Sequence, residues 1–214
     1  MKAMRYQSVA LIVAHPDDET LWAGGTILSH PSWKCFIVCL CRKSDAERAH
    51  KFSKALKILH SEGIMGDLDD GPEQLPLVEK VLENYLLNLL PPIHFDRIIT
   101  HDPNGEYTRH LRHEETGKAV ESLWRNGKIS AKELWTFAYE DGNKKYYPLA
   151  VKGASLCTTL PAEIWQKKYN LITETYGFEK TSWEAMTTPE AEAFRIYTDP
   201  SQIVKRLNNK RAVL

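Results

Sequence analysis

The chain predicts an α/β fold, a Rossmann-like three-layer αβα arrangement around a mostly parallel sheet. Three observations lead there. Short strand-like runs alternate with amphipathic stretches of helical period. The first runs are apolar throughout, as strands buried on both faces are. The polar clusters that could carry chemistry fall directly after such runs, where open parallel sheets place their sites. At 214 residues the chain has the size of one α/β domain, read here as residues 1–214, with a C-terminal third that is harder to parse.

Each element has its own signal. Ser8 to Ala14 reads as the first strand. Thr20 to His30 reads as a helix with Gly24 and Gly25 in its first turn, where they permit close packing or a ligand's approach. Lys34 to Cys41 is a second, continuously apolar strand. Its cysteines 35, 39 and 41 are expected to point to one face. They read as small buried hydrophobes, since C-x3-C-x-C is not a usual zinc spacing, and unpaired thiols fit a reducing, cytoplasmic setting. Asp45 to Glu62 is a helix with Ala49, Phe52, Leu56 and Leu59 on its buried stripe. Ile64 to Leu68 is a short third strand, and Leu75 to Leu90 an amphipathic helix stopped by Pro91-Pro92. Arg97 to Thr100 is the fourth strand, followed by a polar loop from His101 to His110 and a helix from Leu111 to Arg125. Glu133 to Tyr139 reads as a further strand and Pro161 to Tyr176 as a helix. The tail from Asn208 is expected to fray.

Composition narrows the function classes. Lys plus Arg number 28 and Asp plus Glu 28, a formal charge of zero, so no general attraction to nucleic acid or to an anionic membrane is expected. No apolar run approaches the roughly 20 residues of a membrane span, and Met1 to Gln7 carries no apolar segment of the signal-peptide kind. The expected partner is a small molecule; a homo-oligomer is left open.

The chemistry concentrates in two places. His15-Pro-Asp17-Asp18-Glu19 follows the first strand, and His110-Leu-Arg-His113 closes the loop after the fourth. Two carboxylates and an imidazole crowded at one strand end repel and desolvate one another, and a divalent cation offsets that cost. His15 and Asp18 are spaced for a turn that presents one nitrogen and one oxygen to a single ion. Catalytic zinc commonly takes three protein ligands and a water, and His113 could be the third. An H-x-x-H pair alone also occurs by chance on surface helices; the strand-end acidic motif is the stronger signal. Glu19 reads as a partner of the helix dipole. Arg42 and Asp45 follow the second strand and either border the same cleft or form a solvated turn. His101 and Asp102 are either hydrogen-bonding supports or loop packing. Histidines 30, 50, 60 and 94 read as surface or packing residues. The six tryptophans and nine tyrosines read first as core, although aromatic faces also stack on sugar rings.

Ala14-His-Pro-Asp-Asp-Glu19 behind an apolar strand, with Gly24-Gly25 in the next helix and the order of elements as far as His113, resembles the LmbE-like (PIG-L type) zinc-dependent N-deacetylases. The resemblance covers about the first 140 residues. It implies a Zn2+ ion held by His15, Asp18 and His113, Asp17 as the general base, and His110 stabilising the oxyanion, as an imidazolium, or protonating the leaving amine. It further implies that the loop bearing Arg42, together with Tyr107, binds substrate. The implied reaction removes an N-acetyl group from an amino sugar such as an N-acetylglucosamine glycoside, or from a related small metabolite. Two departures stand out. The second motif often reads H-P-D-H in the family, and Arg112 cannot orient a histidine as that aspartate does. The stretch from Tyr107 to His110 is also one residue longer than the family's Tyr-Gly-His. A two-His, one-carboxylate set also suits iron. The competing readings are a nucleotide-binding module, for which no G-x-G-x-x-G or P-loop lysine is present, and a family member whose catalysis has decayed.

Overall fold

A computed structural model describes residues 6–73 and 75–203; the tail from Asn208 lies outside them. The sheet has seven strands in the order β3-β2-β1-β4-β5-β9-β8. The first five, β1 (Gln7–Val13), β2 (Trp33–Cys41), β3 (Glu62–Leu68), β4 (His94–Thr100) and β5 (Ser130–Phe137), are parallel. The last two pair antiparallel: β9 (Ala191–Tyr197) runs against β5, and β8 (Leu156–Thr159) runs against β9. A separate hairpin pairs β6 (Tyr139–Glu140) with β7 (Leu149–Ala150).

The central strand β1 is buried from Val9 to Val13, and its alternate residues feed two cores. Val9, Leu11 and Val13 meet one face together with Leu21 and Trp22 of α1 (Asp18–Ser29), Phe52 of α2 (Ala46–Ile58) and Leu171 and Ile172. Ala10 and Ile12 meet the other with Leu82 and Leu86 of α3 (Glu79–Leu89) and Val120 and Leu123 of α4 (Leu111–Arg125). This two-faced burial explains why the strand is apolar at every position.

The strand order positions the site. From β1 the chain winds outward through β2 to β3, then returns to the other side of β1 as β4. The crevice beyond the carboxyl ends of β1 and β4 is therefore the topological switch point, the usual ligand position of such sheets. The two motif-bearing loops leave from these adjacent strand ends.

Several boundaries differ from expectation. Helix α1 begins at Asp18, so Gly24 and Gly25 lie at its middle and not in its first turn. Gly25 makes room for a neighbour: a Cβ would stand 2.3 Å from the Leu160 side chain, which would have to shift. Helix α2 ends at Ile58, and Glu62 already belongs to β3. Helix α3 starts at Glu79 rather than Leu75. The three β2 cysteines do not share a face. The β2–β3 register shifts between Cys39 and Cys41, so Cys35 and Cys39 join the first core and Cys41 the second. All four cysteines are free thiols, and Cys157 alone is exposed. The expected helix from Pro161 is α5 (Ala162–Asn170), which widens into a π-helical turn over Leu171–Thr175. The strands after β5 and the short helix α6 (Trp183–Thr187) were not legible.

Candidate metal centre

The site starts from β1 and β4 lying side by side. Thr100 Oγ1 donates to the Ile12 carbonyl (2.9 Å), and the Ala14 amide donates to Nε2 of His101 (3.1 Å), stitching the two strand ends together. The chain then turns sharply into α1, and the His15 amide donates to Asp18 Oδ2 (2.8 Å). Helix α4 opens at Leu111, so His113 lies in its first turn and points back to the same spot. Its close approach depends on Gly117, where a Cβ would sit 2.6 Å from the His101 carbonyl oxygen.

His15, Asp18 and His113 are brought together. His15 Nδ1 lies 3.2 Å from Asp18 Oδ2 and 3.2 Å from His113 Nε2, and His113 Nε2 lies 3.3 Å from Asp18 Oδ2. A tetrahedral ion with bonds of about 2.0–2.1 Å sets its ligands about 3.3–3.4 Å apart, so the triangle has the dimensions of one face of such a site. Tautomers follow from the outer partners. Asp70 Oδ1 accepts from His15 Nε2 (3.1 Å), and Glu106 Oε2 accepts from His113 Nδ1 (2.8 Å). In the neutral rings these partners favour the proton on each outer nitrogen, which leaves each inner nitrogen a lone pair to offer a cation. Two lone pairs and a carboxylate oxygen facing one another, all in side chains at most 15% exposed, repel unless a cation stands among them. The donor set fits a divalent metal. Within this group burial pushes Asp18 up, but the imidazoles of His113 and His101 hold it well below the usual carboxylate range.

Asp17 lines the same cleft, a cavity of about 460 Å³ that also takes in Arg42, Arg48, Tyr107, His110 and Trp183. Its backbone has φ +130°, a region that costs a non-glycine residue energy unless neighbours fix it. They do: its amide donates to Glu19 Oε2 (3.0 Å), and its carbonyl accepts from Thr20 (2.9 Å) and Leu21 (2.8 Å). Glu19 is more than a dipole partner: fully buried, it also accepts the Tyr176 hydroxyl (2.6 Å). The Asp17 carboxyl titrates well above its ordinary range. Burial is the main cause and the Asp18 charge adds to it, while Arg48, 3.4 Å away, acts against both.

His110 does not supply the standing positive charge expected of it. Burial, with the neighbouring His113 and His15, lowers its pKa to about 3, so the ring is neutral at ordinary pH. Its orientation comes from stacking on His113 (centroids 4.4 Å) and from edge contact with His15 (4.6 Å); its Nδ1 is buried and has no hydrogen-bond partner among the described residues. Arg112 faces away, donating to the carbonyls of Asp69 (2.6 Å) and Leu75 (3.1 Å) and to Glu115 (2.5 Å). Arg42 borders the cleft, but its guanidinium grips Asp70 Oδ2 through Nε (2.9 Å) and Nη2 (2.7 Å). Tyr107 also lines it, its ring 4.7 Å from Trp183.

Sequence reasoning missed Asp70, Glu106, Arg48 and Trp183. Asp70 was within reach, because it follows β3 as Asp17 and Asp18 follow β1. Glu106 sits in a loop with no local pattern, completely buried between His101 (3.0 Å) and His113, whose imidazoles hold it down to about 2 against the upward push of burial. His101 stacks on His113 at 4.0 Å, a support rather than loose loop packing.

Comparison with known proteins agrees with this geometry. The uncharacterised protein L374 of Acanthamoeba polyphaga mimivirus is 25% identical over 178 residues, covering 76% of this chain and 75% of its own length. Among solved structures, the N,N'-diacetylchitobiose deacetylase of Pyrococcus horikoshii superposes with TM-score 0.66 at 19% identity, covering 90% of this chain and 84% of that one. The 4-carboxy-2-hydroxymuconate hydratase GalB of Pseudomonas putida KT2440 superposes with TM-score 0.57 at 16% identity, over 89% and 95%. These likenesses establish the fold, which hosts more than one chemistry. Residues 10–124 match the family described as PIG-L: GlcNAc-PI de-N-acetylase. That span holds the His15–Asp18 turn, the loop with Glu106, and the helix that delivers His113; the chain belongs to the PIG-L family.

Proposed function

We propose that the chain is a zinc-dependent N-deacetylase that hydrolyses the N-acetyl amide of an amino sugar or a related small metabolite, releasing acetate. The observation that carries this reading is the His15–Asp18–His113 triangle, with the outer nitrogen of each imidazole held by a carboxylate and the buried Asp17 carboxyl next in sequence. A divalent ion held by those three side chains would acidify a water and polarise the amide carbonyl. Asp17, a buried carboxylate whose proton affinity is raised by burial and by Asp18, takes the proton from the attacking water. His110 enters as a neutral imidazole, a hydrogen-bond donor to the oxygen that gains charge. Asp70 and Glu106 keep the two metal-facing imidazoles in the right tautomer. An acidic turn in the place of a glycine-rich phosphate loop disfavours the nucleotide-binding alternative.

The test is acetate release from N-acetylglucosamine and its glycosides by zinc-loaded protein. The Asp17→Asn variant is expected to keep its zinc and lose about 10²–10⁴-fold in kcat. Near-normal turnover in that variant would overturn the assignment of the base.

A further inference from the structure

Arg112 stands between the two histidines of the second motif and turns its back on the cleft. Its side chain is 1% exposed, a depth arginines seldom reach. Taking a guanidinium out of water is costly unless hydrogen bonds and a counter-charge offset it. Here they do, and they converge on one segment. Nε donates to the Asp69 carbonyl (2.6 Å) and Nη2 to the Leu75 carbonyl (3.1 Å), while Nη1 donates to Glu115 Oε2 (2.5 Å). Glu115 Oε1 in turn accepts from the Leu77 amide (2.8 Å). Asp69, Leu75 and Leu77 belong to the connection between β3 and α3. None of the described residues from Asp69 to Val78 is buried, and Leu75 and Val78 are 67% and 68% exposed. The hydrophobic core therefore does not anchor this connection; the first turn of α4 does.

The connection opens with a residue of the site. The Asp69 carbonyl and the Asp70 Cα lie in one rigid peptide plane, so the group that grips the carbonyl also places Asp70, whose Oδ1 accepts from His15 Nε2 (3.1 Å). Arg42 holds the Asp70 carboxylate from the solvent side, with a side chain 47% exposed. Arg112 holds the backbone from the buried side. We propose that Arg112 is a positioning residue for the metal centre: through the Asp69–Asp70 peptide it sets the carboxylate that orients His15. One turn of α4 then places two ligands, His113 directly and His15 by way of Asp70. The inference rests on the metal-site part of the deacetylase reading.

Zinc affinity of the full chain, read by competition with a chromogenic chelator, tests it. Arg112→Lys keeps a positive charge beside Glu115 but has no planar fork to serve two carbonyls. It is expected to weaken zinc binding about tenfold. In an Asp70→Ala chain the same substitution should change the affinity less than about twofold, because the route to His15 is already cut. The ligand-field bands of the Co2+-loaded chain give a second reading: Arg112→Lys should shift them as Asp70→Ala does, with no further shift in the double variant. Ser122→Ala breaks the Ser122–Glu83 bond between α4 and α3 (2.7 Å) and should leave metal affinity and bands unchanged. Should the lysine variant not fold, Glu115→Gln carries the same cycle with the same outcomes, since it removes the charge that fixes the guanidinium and keeps an acceptor for Leu77. Unchanged affinity and bands in Arg112→Lys, losses that multiply in the double variant, or an equal loss in Ser122→Ala overturns the proposal. The expected coupling with no acetate released from any N-acetylated sugar would sink the deacetylase reading and leave the positioning role standing. Acetate release with uncoupled affinities would sink the positioning role alone, and an unaltered chain that binds no zinc would sink both.

Discussion

Asp17 owes its basicity to its surroundings. Burial and the adjacent Asp18 both oppose its ionisation, and the Arg48 guanidinium at 3.4 Å is the countering charge. A general base works only when ionised, so the acid limb of kcat/KM should lie above the ordinary carboxylate range of about 4. Removing Arg48 removes the larger of the two side-chain charges that favour the ionised form, the other being His15. Arg48→Met is therefore expected to move the acid limb to still higher pH; a pH profile checks this, and a downward shift would refute it. Asp70 acts at one remove from the ion. It fixes the His15 tautomer and is itself clamped by Arg42. Asp70→Ala is expected to weaken zinc binding about 10–100-fold, measured by competition with a chromogenic chelator, with the His15 ring left free to rotate. The residues legible in the sequence were those contiguous in one turn, His15, Asp17 and Asp18, or paired on one helix, His110 and His113. Glu106, Arg48 and Trp183 reach the site only through tertiary folding, and no local spacing announces them.

Helix α4 shows how an element sets a site's dimensions. It lies close to the end of β4 because Gly117 has no side chain: a Cβ would meet the His101 carbonyl at 2.6 Å and Asp102 backbone carbon at 2.8 Å. Both are backbone atoms and cannot swing aside. Gly117→Ala is expected to cost about 1–3 kcal/mol by denaturant unfolding. It should also lower zinc affinity, because the displaced helix carries His113 out of the triangle. The parallel half of the sheet was legible because its strands are unbroken apolar runs and its helices keep one apolar stripe. The antiparallel half was not. The four residues of β8 are mostly exposed, and β9 carries a completely buried glutamate, Glu192, paired with an equally buried Lys168 at 2.7 Å. Charged residues inside a core are invisible to any reading based on apolar periodicity. The β2 register shift that separates Cys41 from Cys35 and Cys39 has the same status, since strict alternation assumes a regular strand.

At the scale of the molecule, the two halves of the chain are not independent. The family match ends at residue 124, yet later parts of the chain reach into helix α1, which carries the proposed ligand Asp18, at several points. Glu192 accepts from the mid-helix amides of Gly25 (2.9 Å) and Thr26 (2.6 Å). Tyr139 donates to the Trp22 carbonyl (3.0 Å). Tyr176 holds Glu19, which in turn holds the Asp17 amide. The late segments thus brace the turn that carries the proposed base, Asp17, and a proposed metal ligand. A protein shortened to its first 150 residues would retain every proposed metal ligand and Tyr139 but lack the braces from Tyr176 and Glu192. It is expected to bind zinc at least about tenfold more weakly than the whole chain, read by isothermal titration, and to be cut rapidly by chymotrypsin at Leu21 or Trp22 in α1. What looks like a self-sufficient catalytic module followed by an appendix is one cooperative object, so searches for a minimal active fragment should trim from the surface loops inward and leave the carboxyl-terminal strand in place.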